Sequence, residues 1–178
     1  MACLLSCSEE KTIELPLTQM NGYGPFQSAL GGLSPYSVDE KNIWKKTYLK
    51  VSGVPESWND IKFGDIKTNM YQSVYQNHFL GNITKEKYEE LQKTWDWIPD
   101  TARLSKEPLK CKIAFVFGKD STGVVKMIVD ANNNLDLSDD KIFIPVNISQ
   151  NENINKDSLA QVNSINVSFE SFIDNKKV

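Results

Sequence analysis

Between Asp130 and Asp140 the chain reads Asp-Ala-Asn-Asn-Asn-Leu-Asp-Leu-Ser-Asp-Asp, directly after the apolar run Met127-Ile128-Val129. Oxygen-bearing side chains recur at Asp130, Asn132, Asn134, Asp136 and Ser138, and the adjacent Asp139 and Asp140 close the stretch. Those residue types at that spacing suit a hard cation. Ca²⁺ takes about six to eight oxygens, from carboxylates, amides and backbone carbonyls alike. In this reading Asp130, Asn132, Asn134 and the backbone carbonyl of Asp136 converge on a structural calcium ion. Asp140 or Asp139 supplies the closing carboxylate, and Ser138 reaches the ion directly or through water. Packing Asp130, Asp136, Asp139 and Asp140 into so short a loop costs repulsion that a cation offsets. The competing reading is a polar turn, because Asn, Asp and Ser hydrogen-bond their own backbone and tolerate left-handed conformations. The pattern is not that of an EF-hand, since Leu135 stands where the invariant Gly belongs and Lys141 where the closing Glu belongs. Affinity in an extracellular module of this kind would be weak, with Kd on the order of 10⁻⁴ to 10⁻³ M.

Other chemistry is harder to assemble. His78 is the only histidine and has no Ser, Cys or Asp partner at a recognisable spacing, so it reads as structural. The three cysteines, Cys3, Cys7 and Cys111, form no C-x-x-C pair. Cys111 shares an alternating face with Leu109, Ile113 and Phe115, which points to a buried thiol. Trp95 and Trp97, together with Trp44 and Trp58, are candidates for an aromatic ligand-binding platform; the competing reading is that Trp95 packs in the core and Trp97 closes a helix end.

The elements that must position these residues are mostly β. Thr47–Ser52 alternates and reads as a strand, a second short strand is expected around Ile61 and Phe63, and Met70–Leu80 is ambiguous with a lean towards strand. Thr84 is an N-cap for one clear helix, in which Tyr88, Leu91 and Trp95 share a face and which Pro99 ends. Leu109–Phe117 and Val124–Val129 form a hairpin about the turn at 118–123, and its second strand feeds the candidate metal loop. Ile142–Ile148 and Ile165–Phe172 read as further strands, with Pro145 marking an edge or bulge. The fold class expected is therefore mainly β, an antiparallel β-sandwich-like domain with one short α-helix.

At 178 residues the chain can hold one domain with a core, or a domain on a tether. A net charge of −3 with scattered Lys and Arg gives no nucleic-acid-binding face, and no apolar run approaches the roughly 20 residues of a bilayer span. Pro16, Pro25 and Pro35 among Gly22, Gly24, Gly31 and Gly32 divide the chain into residues 1–42, an irregular tether, and 43–178, a β-rich domain with the Asp/Asn-rich loop.

Leu4-Leu5-Ser6-Cys7 resembles a bacterial lipobox, and Ser8-Glu9-Glu10 resembles the acidic segment that follows the acylated cysteine of some surface-exported lipoproteins. Too few residues precede Cys7 to hold a charged region and an apolar stretch, so the natural chain is expected to begin upstream of Met1. The hairpin, the 130–140 loop and the lipobox together resemble the N-terminal portion of lipid-anchored, thioredoxin-like thiol-disulfide oxidoreductases of Gram-negative envelopes. The likeness is specific over about a dozen residues of the loop and loose over Lys46–Phe172. It implies an outer-membrane lipoprotein of the bacterial cell envelope, held to the membrane through lipidated Cys7, with a C-terminal or separate redox domain as partner. No C-x-x-C motif is present, so the family's activity transfers to no residue here. The reading is a non-catalytic accessory module with a structural calcium loop; the alternative is a surface lipoprotein that binds glycan or protein through exposed aromatics.

Overall fold

The computed structural model describes residues 33–146 and 164–178. Its centre is a three-stranded antiparallel sheet in the order β1 (Asn59–Lys67), β2 (Lys112–Lys119), β3 (Val125–Val129). β2 occupies the middle, and its run Ile-Ala-Phe-Val-Phe is apolar at successive positions because both faces are covered. Register is set by Phe63 opposite Val116 and Ile66 opposite Ile113 on one side, and by Phe115 opposite Val129 on the other. The β2–β3 turn is held by Asp120, whose Oδ1 accepts from the Thr122 and Val124 N–H groups and from the Thr122 hydroxyl.

Strand parity divides the core in two. On one face Ile113, Phe115, Met127 and Val129 pack with Phe117 and Phe143. A side chain on Gly64 would overlap the Phe115 ring, so that position in β1 needs glycine. On the other face Val116, Ile128, Trp58 and Leu137 pack with Val51 and Val54. A third cluster joins α1 (Met70–Phe79) to α2 (Lys85–Thr94) through Val74, Tyr75, Tyr88 and Leu91, closed by Ile83 and Leu104.

The antiparallel, sheet-rich expectation holds in part, and the whole is mixed: two helices accompany a three-stranded sheet and a small hairpin of β4 (Phe172–Ile173) and β5 (Lys176–Lys177). The packing on the two faces of the larger sheet comes from the 51–58 segment, Leu137 and Phe143, and a sandwich-like pair of equal layers is not what these residues form. The expectation of one short helix is corrected, because Met70–Phe79 is helical and not a strand. Asn69 caps it by accepting from the Gln72 N–H at 3.0 Å, and six consecutive residues, Gln72 to Asn77, are buried. Burial all round in a helix with a polar inner face leaves no apolar stripe to read. α2 forms where expected, with Thr84 accepting from the Lys87 N–H.

Three expected strands are also corrected. Thr47–Ser52 holds the end of a 3₁₀ turn (Lys45–Thr47) and a single bridge from Ser52 to Asp136. Phe143 makes one bridge to Met127, after which no ladder continues through Val146; residues 147 and 148 lie outside the described residues. Residues 165–171 carry no ladder, and β4 begins at Phe172. Such β-forming residues favour an extended backbone, but a strand also needs a neighbour in register. The hairpin's first strand starts at Lys112 and not Leu109, because the Cys111 N–H turns back to the Leu109 carbonyl at 2.8 Å. No helix among the described residues is long and apolar enough to cross a membrane.

Candidate metal centre

β3 ends at Val129 and delivers Asp130, fully buried, to the start of the loop. Its carboxylate folds the loop over itself: Oδ1 accepts from the Asn134 N–H and Oδ2 from the Leu135 N–H, each at 3.0 Å. The same device repeats along the chain. Asn132 Oδ1 accepts from the Asn134 N–H, Asn134 Oδ1 from the Asp136 N–H, and Asp136 Oδ1 from the Ser138 N–H. The successive turns require left-handed backbone at Asn133 (φ 57°) and Leu135 (φ 67°). Leu135 thus adopts the conformation for which calcium loops normally use glycine, despite the cost to a branched side chain.

Asp139 faces back across the loop, its Oδ2 accepting from the amides of both Asn132 and Asn134 at 3.0 Å. Asp140 Oδ1 accepts from the Ala131 N–H, whereas Asp140 Oδ2 is buried with no hydrogen-bond partner among the described residues. Burial raises the Asp140 carboxyl above the usual range against the pull of the Ala131 N–H, and nearby Asp130, Asp139 and Asp136 push it the same way. The loop therefore gathers Asn132, Asn134 and Asp139 on one side and sets Asp130 and Asp140 about Ala131. Asp136 and Ser138 instead lie against Gly53 (φ 77°), where a methyl group would overlap the Asp136 carboxylate and the Ser138 nitrogen. Among the described residues no three Asp, Glu, His or Cys side chains form a cluster able to hold a metal ion. A calcium site here would need the Asn oxygens and backbone carbonyls as well as the carboxylates, a mixed set that Ca²⁺ accepts.

Three other chain segments meet at this loop. The Ser52 N–H donates to the Leu135 carbonyl and the Leu137 N–H to the Ser52 carbonyl, while Leu137 plugs the core beneath. Buried Asn133 donates to the carbonyls of Lys110 and Ser168, the Lys110 ammonium donates to the Asn133 carbonyl at 2.7 Å, and the Ser168 N–H donates to the Ala131 carbonyl. Asn133 is off the alternating ligand pattern, and its role in joining segments has no signature in local spacing.

The expected aromatic platform divides. Trp58 is buried in the sheet core, whereas Trp95 and Trp97 are half-buried against the helix pair with Tyr71 between them, 5.8 and 4.9 Å from their ring centres. His78 stacks flat on Tyr88 at 4.2 Å, a packing role. Cys111 is buried as expected, and that burial pushes its thiol up to about 11. Cys7 lies outside the described residues. A polar cluster that spacing did not reveal lies on the sheet face shared with Val116: Asp65 of β1 accepts from Lys112 of β2, from Lys67 and from the Tyr36 hydroxyl. Lys112, set between Cys111 and Ile113 in an apolar run, was its one visible sign.

No protein-family model, no curated protein and no solved structure matches this chain.

Proposed function

We propose that this chain is a non-catalytic, lipid-anchored module of the bacterial cell envelope whose Asp130–Asp140 loop is a structural calcium site. On this reading it is the N-terminal accessory part of a thioredoxin-like redox protein, tethered to the outer membrane through Cys7. The observation that carries the calcium assignment is Asp140 Oδ2, a carboxylate oxygen buried without a donor among the described residues, beside three further carboxylates. An unpartnered buried acceptor of that kind is costly, and a cation removes the cost. Left-handed Leu135 and the turns built on Asp130 support the same reading, because they bend the backbone as a calcium loop does. The ion's job would be to fix the bend where four segments meet.

Thermal melts with and without Ca²⁺ test this. With Kd on the order of 10⁻⁴ to 10⁻³ M, about 10 mM Ca²⁺ adds roughly 1.4 to 2.7 kcal/mol of stability. The double variant Asp139→Ala, Asp140→Asn should fold and lose that response. An equal calcium response in the variant, or none in the wild type, would remove the ion from the loop. The redox assignment is tested by the natural reading frame beyond Val178 and its neighbours: a C-x-x-C domain in neither place overturns it.

A further inference from the structure

A cleft of about 380 Å³ lies between the 34–48 segment on one side and β1, the start of α1 and the end of α2 on the other. Its walls are aromatic. Tyr36 and Tyr48 stack at 3.9 Å with their planes 7° apart, and half-buried Trp44 and Trp95 also line the cleft, with polar Ser34, Ser37, Asn42 and Thr47 among them. Its floor is charged. Asp65 and Lys67 line it directly, and Lys112 lies behind Asp65.

Two ammonium groups share that single carboxylate. Lys67 Nζ stands 2.7 Å from Asp65 Oδ1 and Lys112 Nζ 3.1 Å from Asp65 Oδ2, while Lys112 also donates to the Thr47 carbonyl at 2.6 Å. The Asp65 and Lys112 side chains are 1% and 5% exposed, whereas Lys67 is 29% exposed. The floor therefore carries one net positive charge, and Lys67 keeps donors beyond the one given to Asp65. A small pocket with apolar walls and a few convergent polar groups is the usual form of a ligand site, and this volume is at the lower end of such sites. Flat rings lie well on indole and phenol faces.

We infer that this cleft binds a single-ring ligand carrying one carboxylate, the ring against Trp44 and Trp95 and the carboxylate on Lys67. The site is independent of the calcium loop. Either a sugar acid or an aromatic acid has this chemistry, and the two are separated by the probes below. Neutral rings of the same size lack the charge-assisted hydrogen bond and bind more weakly.

Titration of the full chain with D-glucuronate, benzoate, D-glucose and benzyl alcohol, followed by the tryptophan indole N–H signals in NMR spectra, tests this. At least one of the two acids should shift the Trp44 and Trp95 signals saturably by about 10 mM, with its neutral counterpart about tenfold weaker or more. Saturation by glucuronate alone assigns a sugar acid, and by benzoate alone an aromatic acid. Lys67→Gln, which also withdraws one of two partners from buried Asp65, should stay folded at about 25 °C with a lowered melting temperature, its free indole N–H signals still dispersed, and weaken the acid about tenfold. Trp95→Phe, which keeps a ring in the wall, should retain the charge preference at reduced affinity. The inference is overturned if neither acid shifts these signals, if acid and neutral probes bind alike, or if Lys67→Gln binds the acid as wild type does.

Discussion

Asp65, opposite Ala114, and Lys112, opposite Lys67, meet diagonally across neighbouring strands with almost no solvent contact, so each depends on the other for its charge. Burial works against ionisation of Asp65, but Lys112 and Lys67 outweigh it and hold the carboxyl below its usual range. Burial likewise lowers Lys112, and Asp65 opposes that shift. Removing one member of such a pair costs more than the pair is worth, because the other stays buried and uncompensated. Asp65→Asn is expected to lose about 3–5 kcal/mol at neutral pH, read from urea denaturation. A carboxyl with a lowered folded pKa stabilises above its unfolded value of about 3.9 and loses that contribution as pH falls through the folded one. The wild type should therefore weaken on acidification below about pH 4, and Asp65→Asn should lack that part of the decline. An unchanged acid limb in the variant would show that Asp65 is not the group titrating. At this scale the sequence made Asp130, Asn132, Asn134 and Asp139 legible, because they are adjacent in the chain. Asp65 and Lys112 are 47 positions apart. Only the strand register brings them together.

Among the elements, α1 is held on its inner side by amides where an apolar stripe would be usual. Gln72 exchanges hydrogen bonds with both backbone groups of Ser105, and Gln76 does the same with Leu109, at 2.8 to 3.2 Å. These two side chains stand in for a strand edge and dock the 105–109 segment on the helix. Gln76→Leu keeps the helix propensity and the bulk but strands the Leu109 N–H, whose carbonyl keeps the Cys111 N–H, so a loss of about 1–3 kcal/mol is expected. A Gln76→Leu melting temperature equal to the wild type's would mean that water satisfies Leu109. The same amides hide the helix from its sequence: period 3.6 is sought in apolar residues, and here Gln72, Ser73, Gln76 and Asn77 are buried beside only Val74 and Tyr75. The Asn69 cap was the signal that could have found it. α2 and the β2–β3 hairpin were legible because their Thr84 cap, Asp120 turn and alternating core all lie within a few residues.

For the molecule as a whole, sheet-rich, antiparallel character was legible and the mixture with helices was not. Segments 47–52, 142–146 and 165–171 have the composition of strands but form no ladder, and are held by isolated bridges and hydrogen bonds. Propensity fixes the backbone shape, whereas pairing depends on partners outside the segment, 84 positions away for Ser52 and Asp136 and 16 for Phe143 and Met127. The 130–140 bend is where the early, middle and late parts of the chain are tied together, through Ser52, Lys110 and Ser168. A junction of such distant parts closes after most local structure, since the loops it completes are long. Contacts made after the rate-limiting step leave the speed of refolding alone and retard the reverse reaction. On the proposed calcium reading, stopped-flow experiments should therefore find that calcium lengthens the lifetime of the folded chain while its refolding rate stays constant, so that the bend acts as a latch and not a nucleus.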